Sequence, residues 1–183
     1  MALKEAVAEP ELPEILAQIQ RLASLEGKWG ELVELFIAVG EDILDPKIQE
    51  QVFLTVADIS RDELNNLETA QKYYEKVLEA APENLHSLDA LGGVYEQTEN
   101  WEKLLGIYMK RADMAFNDED LRYSSLVKAA RLCRTKLEQT EAAVEHYSSI
   151  LELRPEDAEI FKALEELLFE QEKWLELIEL YEH

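Results

Sequence analysis

Few residues of this chain have the types and spacing that catalytic or metal chemistry requires. His86 and His146 are isolated, and His183 is the last residue, a position that fits either a native residue or a tag remnant. No His-Glu-x-x-His, paired-cysteine or glycine-rich phosphate-binding motif occurs. We therefore expect a protein that is not an enzyme and that needs no cofactor and no metal ion.

Three further groups have simple structural explanations. Residues 117–120, NDED, lack the glycine and the terminal glutamate that shape a calcium loop, so we interpret them as a solvated loop. The glutamates at 165–166 and at 170 and 172 fit exposed helix faces better than an acid–base pair. Cys133 fits a small core residue better than a nucleophile. As the only cysteine it excludes an internal disulfide, so we expect a reducing compartment and a cytoplasmic location.

The charge of the chain limits its possible partners. A formal net charge of −22 argues against a surface that follows nucleic-acid phosphates. One explanation of this charge is that acidic side chains keep an elongated helical surface soluble, and the alternative explanation is a basic partner. The apolar stretch LFIAV is far shorter than the ~20 residues that cross a bilayer, and no basic start followed by an apolar run opens the sequence. We expect neither nucleic-acid binding nor membrane insertion.

An internal duplication dominates the sequence. Trp29, Trp101 and Trp174 begin related sequence segments, which are 72 and 73 residues apart. A shift of 73 residues superimposes identical residues: Ala57 on Ala130, Ala70 on Ala143, Tyr74 on Tyr147 and Pro82 on Pro155. The single extra residue falls between about 110 and 120, in a predicted loop, because a core-facing helix cannot absorb an insertion without rotating its apolar face.

Apolar residues recur at helical spacing along nearly the whole chain. No segment alternates with a period of two residues, so we expect no strand. The pattern predicts about ten helices, near residues 13–25, 29–43, 47–63, 67–80, 85–97, 101–115, 120–137, 140–153, 158–171 and 174 to the end.

These motifs resemble the tetratricopeptide repeat family. The matching residues are Leu91, Gly92, Tyr95 and Tyr108 in residues 85–118, and the alanine, tyrosine and proline of each duplicated hairpin. The resemblance implies an all-α, right-handed α-solenoid of antiparallel helical hairpins. It covers residues 13–183 as a single array after an N-terminal extension, residues 1–12. The predicted hairpins are 13–49, 50–84, 85–122, 123–157 and a truncated 158–183.

Two of these hairpins depart from the family by one extra residue. The distance from Ala57 to Ala70 is 13 residues, one more than the family's usual spacing between these small positions. With the extra residue in the turn, Ala57 and Ala130 are the small inward positions. The other register would bury Asp58 and Arg131, and an unpaired buried charge costs several kcal/mol. The predicted inward stripes are Phe53, Val56, Ala57, Ser60 and Leu64, and Leu126, Ala129, Ala130, Cys133 and Leu137.

The recurring tryptophan begins the second helix of every other hairpin. A large ring there could wedge between adjacent hairpins, since an aromatic side chain buries ~150–250 Å². We therefore predict core packing for Trp29, Trp101 and Trp174, with ligand stacking as the alternative.

The resemblance also implies a concave groove lined by the first helix of each hairpin. Carried over in the corrected register, the groove positions are Gln51, Leu54, Asp58 and Arg61; His86, Asp89, Gly93 and Glu96; Ser124, Val127, Arg131 and Arg134; and Glu159, Lys162, Glu166 and Phe169. Asp58, Asp89 and Glu96 make the first part acidic, whereas Arg131, Arg134 and Lys162 bring positive charge to the later part. The predicted partner-binding residues are Asp58, Arg61, Asp89, Glu96, Arg131, Arg134, Lys162 and Phe169. Two interpretations of the arginines stay open: ion pairs with neighbouring carboxylates, or an anchor for an acidic or C-terminal peptide.

The predicted function is a non-catalytic scaffold or adaptor that binds a partner protein or peptide. One alternative is a regulatory or sensor segment of a larger enzyme or of a bacterial motility or signalling assembly. RNA binding is a poorer alternative, because the sequence pI is about 4.4. The alternating hairpin lengths are similar to those in long bacterial scaffold proteins.

The last predicted helix begins at Trp174 and is short. A free-standing repeat array normally ends in a capping helix with a polar outer face, and LELIELYEH keeps an apolar stripe instead. We expect that the chain belongs to a longer array and that this apolar edge favours end-to-end self-association.

Overall fold

A computed structural model describes residues 12–182 of the 183-residue chain. Within this range it contains ten α-helices and no strand: α1 Leu12–Glu26, α2 Trp29–Gly40, α3 Pro46–Asp62, α4 Leu67–Ala80, α5 Leu85–Gln97, α6 Trp101–Met114, α7 Glu119–Leu132, α8 Thr140–Leu153, α9 Ala158–Glu170 and α10 Trp174–Glu182. A π-helical turn, Cys133–Leu137, continues α7. Counted with that turn, the predicted helix ends differ from the observed ones by at most three residues. Residues 1–11 of the predicted N-terminal extension, and the origin of His183, lie outside the described residues.

The chain divides into two compact units, Met1–Val94 and Tyr95–His183, and the division falls inside α5. Within the first unit α3 packs against α4, and within the second α7 packs against both α6 and α8. The prediction that residues 13–183 form a single array stays a prediction, as do its hairpin boundaries.

In the first unit, α3 and α4 form a hairpin around two small residues. The side chains of Asp45 and Asn66 accept hydrogen bonds from backbone N–H groups in the first turns of α3 and α4, so each helix begins at a capping residue. Ala57 and Ala70 are completely buried, which lets the two helix backbones lie close together. The surrounding core consists of Phe36, Val52, Phe53, Val56, Ile59, Tyr73, Tyr74 and Val77.

The second unit repeats this hairpin in α7 and α8. Asp118 caps α7 by accepting a hydrogen bond from the backbone N–H of Leu121. Cys133 is completely buried, as predicted, and its burial raises the pKa of the thiol, so the reactive thiolate is disfavoured. The core contains Ala112, Leu126, Ala130, Cys133, Ala143, Val144, Tyr147, Ile150, Ile160, Leu164, Leu167 and Leu168.

Backbone hydrogen bonds show where the extra residue of the long hairpins lies. In short turns a backbone N–H bonds to the carbonyl five residues earlier, as from Asn100 to Tyr95 and from Lys173 to Leu168. In the two long turns the bond reaches back six residues, from Asn66 to Ser60 and from Gln139 to Cys133. The extra residue therefore lies in the turn, as predicted, and in the second unit the turn includes the π-helical segment.

Every turn between the two helices of a hairpin contains one residue in the left-handed backbone region. That residue stands two positions before the second helix: Gly27, Asn65, Glu99, Glu138 and Glu172, with φ values from 48° to 68°. Glycine and asparagine adopt this conformation readily, whereas the Cβ of a glutamate is crowded there. The three glutamates therefore hold mildly strained positions.

Two predictions about the core need correction. Leu64 is 37% exposed rather than inward, because α3 ends at Asp62 and the residue after it no longer follows the helical phase. Trp174 is 50% exposed, so its predicted core position is wrong. Trp29 and Trp101 are partly buried, so core packing is only partly correct for them.

Gly40 allows a close approach that a larger residue would prevent. A Cβ at this position would lie 2.6 Å from a ring carbon of Phe53, which is only 2% exposed and packs against Tyr73. We predict that Gly40→Ala lowers the free energy of unfolding by ~1–3 kcal/mol through overpacking, measured by urea denaturation. Gly93→Ala is the matched control, because its Cβ meets nothing within 4 Å and a helical Gly→Ala change gains ~0.5–1 kcal/mol. Equal effects of the two substitutions would contradict the close approach.

The left-handed glutamates give a second prediction. Replacing Glu138 (φ 54°) by glycine should raise the free energy of unfolding by up to ~1 kcal/mol, because relief of backbone strain exceeds the entropic cost of glycine. Glu145→Gly, at an exposed position inside α8, should instead lower it by ~1 kcal/mol. Thermal and urea melts of the two variants should therefore shift in opposite directions, and a loss of stability in both would show that Glu138 is not strained.

Candidate protein-interaction surface

The predicted partner-binding residues all lie on accessible faces of the first helices. Asp58, Arg61 and Arg134 are partly exposed. The remaining five, Asp89, Glu96, Arg131, Lys162 and Phe169, are exposed. This exposure follows from the register, since Ala57 and Ala130 point inward and their successors along the helix point away from the core.

In the first unit, Asp58 on α3 connects three helices. The hydroxyl of Tyr74 on α4 donates a hydrogen bond to Asp58 Oδ1 at 2.5 Å, and His86 Nε2 on α5 lies 2.8 Å from the same oxygen. Burial, and then the hydrogen bond to Asp58, raise the pKa of Tyr74 well above its usual range. Arg61 lies 3.9 Å from Asp58 and bonds more closely to Asp62 at 2.6 Å. Asp58 therefore links α3 to α4 and α5 through its contacts, and it also carries charge at the surface.

In the second unit, Arg131 on α7 and Arg134 on the π-helical turn that continues α7 reach acidic residues of α9. Arg131 lies 2.8 Å from Glu159. Arg134 lies 3.4 Å from Glu166 and 3.9 Å from Glu170. The structure thus contains ion pairs between the arginines and neighbouring carboxylates, as one of the two interpretations of the arginines expected. These contacts also show that the arginines and the α9 glutamates lie on a shared face.

The α7–α9 surface is defined by Arg131, Arg134, Lys162 and Phe169. Lys162 is exposed and makes no ion pair within residues 12–182. Phe169 is 62% exposed, and its ring packs edge-on against Trp174 with centroids 5.5 Å apart. The surface therefore offers cations beside an exposed aromatic pair. The sequence placed Trp174 in the core, so this contribution was missed.

Two pairs of positions related by the 73-residue shift carry charges of opposite sign, Asp58 with Arg131 and Asp89 with Lys162, whereas Arg61 and Arg134 carry the same sign. Asp58 and His86 correspond to Arg131 and Glu159, and in both units the contact between the two helices is 2.8 Å long. Asp89 corresponds to Lys162, and Glu96 to Phe169. The duplicated scaffold therefore keeps the geometry of these positions and changes their chemistry. This change of charge could have been found in the sequence, because the 73-residue shift aligns these residues.

Other candidate chemistry finds little support in the described part of the chain. His146 is half-buried, and burial lowers its pKa, which favours the neutral imidazole. No group of three or more His, Cys, Asp or Glu residues within 12–182 is placed to hold a metal ion. None of the helices described is long and apolar enough to cross a membrane.

Two segments of the chain match tetratricopeptide repeat models: residues 51–84 and residues 87–122. The resemblance to the tetratricopeptide repeat family that was found in the sequence is therefore confirmed. Tetratricopeptide repeats are protein-interaction modules, and their presence supports a general role in protein–protein interaction. No curated protein matches the chain significantly.

Solved structures with the same fold include repeat proteins from different organisms. A double mutant of MamA from Desulfovibrio magneticus RS-1 is 16% identical, with 97% of each chain covered and a TM-score of 0.52. A putative kinesin light chain from P. anserina, with nearly identical TPR-like repeats, is 16% identical over 97% of this chain and 94% of its own, with a TM-score of 0.51. MamA AMB-1 is also 16% identical, over 87% of this chain and 82% of its own, with a TM-score of 0.50. At this identity the likeness shows the fold alone, and it confirms the predicted all-α solenoid class.

The Tyr74–Asp58 hydrogen bond predicts a pH dependence of stability. Because folding raises the pKa of Tyr74, its stabilising effect is complete below the ordinary tyrosine pKa of about 10 and is lost as the pH rises above it. Tyr74→Phe should lower the free energy of unfolding by ~1–3 kcal/mol at pH 8, and this difference from wild type should shrink at pH 11. Urea denaturation at both pH values measures it.

Tyr181 provides a matched control for that comparison. Its hydroxyl also bonds a carboxylate, Glu165, but the side chain is 60% exposed, so Tyr181→Phe should change stability little. A difference between Tyr74→Phe and wild type that stays constant from pH 8 to pH 11 would contradict the assigned role of Tyr74.

Proposed function

We propose that this chain, two segments of which match tetratricopeptide repeat models, is a non-catalytic scaffold that binds a partner protein on its α7–α9 surface. Two ion pairs carry the proposal: they join α7 and its π-helical continuation to α9, Arg131 with Glu159 and Arg134 with Glu166. They bring the accessible positions of two consecutive first helices onto one face. A partner segment lying on this face would contact both helices at once.

The arginine ion pairs do not close the surface to a partner. The side chains of Arg131 and Glu159 are 58% and 79% exposed, and exposed ion pairs contribute only ~0–1 kcal/mol. A carboxylate of a partner can therefore replace an internal one at little cost, especially when it meets both arginine donors in a bidentate arrangement.

The chemistry of the α7–α9 surface favours a particular kind of segment. Lys162 supplies a positive charge that no internal carboxylate neutralises within the described residues. The Phe169–Trp174 pair supplies apolar contact area next to these cations. A segment with acidic residues or a terminal carboxylate and at least one apolar side chain fits both features. The predicted contacts at Asp58, Arg61, Asp89 and Glu96 stay predictions.

Charge reversal tests the proposal directly. Arg131→Glu combined with Arg134→Glu should weaken binding of an acidic peptide with a free C-terminal carboxylate by more than tenfold, because each reversal replaces attraction with repulsion. The measurement is fluorescence anisotropy with a labelled peptide containing glutamates and one phenylalanine. The circular-dichroism spectrum should stay that of the wild type, since both side chains are at least partly exposed.

A control must separate the local effect from a general change in charge. Arg21→Glu combined with Lys72→Glu makes the same change in net charge at exposed positions of the first unit. This control should bind the peptide within about twofold of wild type, a difference of ~0.4 kcal/mol. Equal weakening by both double variants, or no weakening by either, would sink the assignment of the α7–α9 surface.

A further inference from the structure

The second unit also contains a pocket between α8, α9 and α10. This α8–α10 pocket has a volume of about 700 Å³, and its walls include Leu151, Phe161, Leu168 and Leu180. The volume is in the range of ligand-binding pockets and exceeds what a single side chain fills, so it has room for two or three apolar side chains.

The pocket and the α7–α9 surface use different sides of α9. On α9, Phe161, Leu164 and Leu168 line the pocket, whereas Lys162 and Phe169 belong to the α7–α9 surface. At 100° per residue, the two sets are centred roughly 120° apart around the helix axis, about a third of a turn. An occupant of the pocket therefore need not compete with a segment bound to the α7–α9 surface.

The charges around the pocket have one sign. Its lining includes Glu152, Glu176 and Glu179, all exposed, and no lysine, arginine or histidine. Lys173 lies 3.3 Å from Glu176 and neutralises that carboxylate in part. Glu152 and Glu179 make no ion pair within residues 12–182. Carboxylates of one sign around an apolar floor favour an occupant that carries the opposite charge.

The helix that closes one side of the pocket is only shallowly packed. No residue of α10 is fully buried, and Leu180 is one of its partly buried contacts with the core. Phe161 and Tyr181 pack edge to face, with ring centroids 5.6 Å apart, and hold α10 against α9. The apolar wall formed by α10 therefore gains burial when an occupant covers it.

We propose that the α8–α10 pocket docks a basic amphipathic helix of a partner protein, with apolar side chains entering the pocket and lysine or arginine residues meeting Glu152 and Glu179. An apolar floor with an acidic rim is the complement of such a helix, which presents apolar residues at i, i+3, i+4 and i+7 between cations. The occupant thus differs in charge from the segment that fits the α7–α9 surface.

The test uses the full chain and a labelled synthetic helix with leucines at i, i+3, i+4 and i+7 and lysines elsewhere. Fluorescence anisotropy should show saturable binding that a matched peptide with serines in place of the leucines lacks. Ser148→Trp fills the pocket with a ring and should weaken binding more than tenfold. Circular dichroism and thermal melting confirm that this variant folds.

A charge variant keeps the test decisive if the filled pocket disturbs folding. Glu152→Gln with Glu179→Gln should weaken binding at least fivefold, whereas Glu79→Gln with Glu102→Gln, equally exposed and away from the pocket, should change it less than twofold. Equal binding by both double variants, or by the serine peptide, would reduce the interaction to general attraction by a chain of charge −22 and overturn the proposal. It would also be overturned if sedimentation showed that the free chain self-associates and that Ser148→Trp abolishes this, because the occupant would then be a second copy.

Discussion

Ala57 on α3 and Ala70 on α4 are completely buried, and so are their counterparts Ala130 and Ala143 in the second unit. At a close helix crossing only a small side chain leaves room for the opposite backbone, so these residues determine how each pair of helices is rotated. Rotation determines which side chains reach solvent. One residue further along, Asp58 and Arg131 are accessible because the alanines are not.

The turn lengths of the long hairpins are adapted to this crossing. A hydrogen bond that reaches back six residues, as from Gln139 to Cys133, accommodates one residue more than the five-residue closure of the short turns. The second helix can then begin in phase with its own alanine. The cost is local, since Glu138 adopts a left-handed conformation that glycine adopts more easily. The alternation of long and short turns repeats with the 73-residue period, and this period places Arg131 and Lys162 at the points equivalent to Asp58 and Asp89.

Much of this architecture could be predicted because it depends on local patterning. Helical spacing gave the ten helices, and the cost of burying Asp58 or Arg131 gave the register of α3 and α7. Features that depend on the angle between neighbouring helices could not be predicted from residue spacing. Leu64 and Trp174 fit an apolar stripe by spacing alone, yet both are exposed, since one lies beyond the end of α3 and the other packs on an exposed phenylalanine. Arg134 pairs with Glu166 and Glu170, which follow it by 32 and 36 residues in the sequence. These contacts depend on how closely two helices approach each other, and residue spacing within one helix does not determine that approach. The α8–α10 pocket was missed for the same reason.

Thiol reactivity tests the register most directly, because it reports the accessibility of individual positions in the native state. Native Cys133 should react with an exposed-thiol reagent only as fast as the protein unfolds locally. In a Cys133→Ala background, Arg131→Cys should react like a free thiol, and Ala130→Cys should react at least roughly a hundredfold more slowly. Rapid reaction at position 130 with protection at position 131 would move the inward position one residue later, from 130 to 131. It would also remove Arg131 from the surface on which the proposed partner lies.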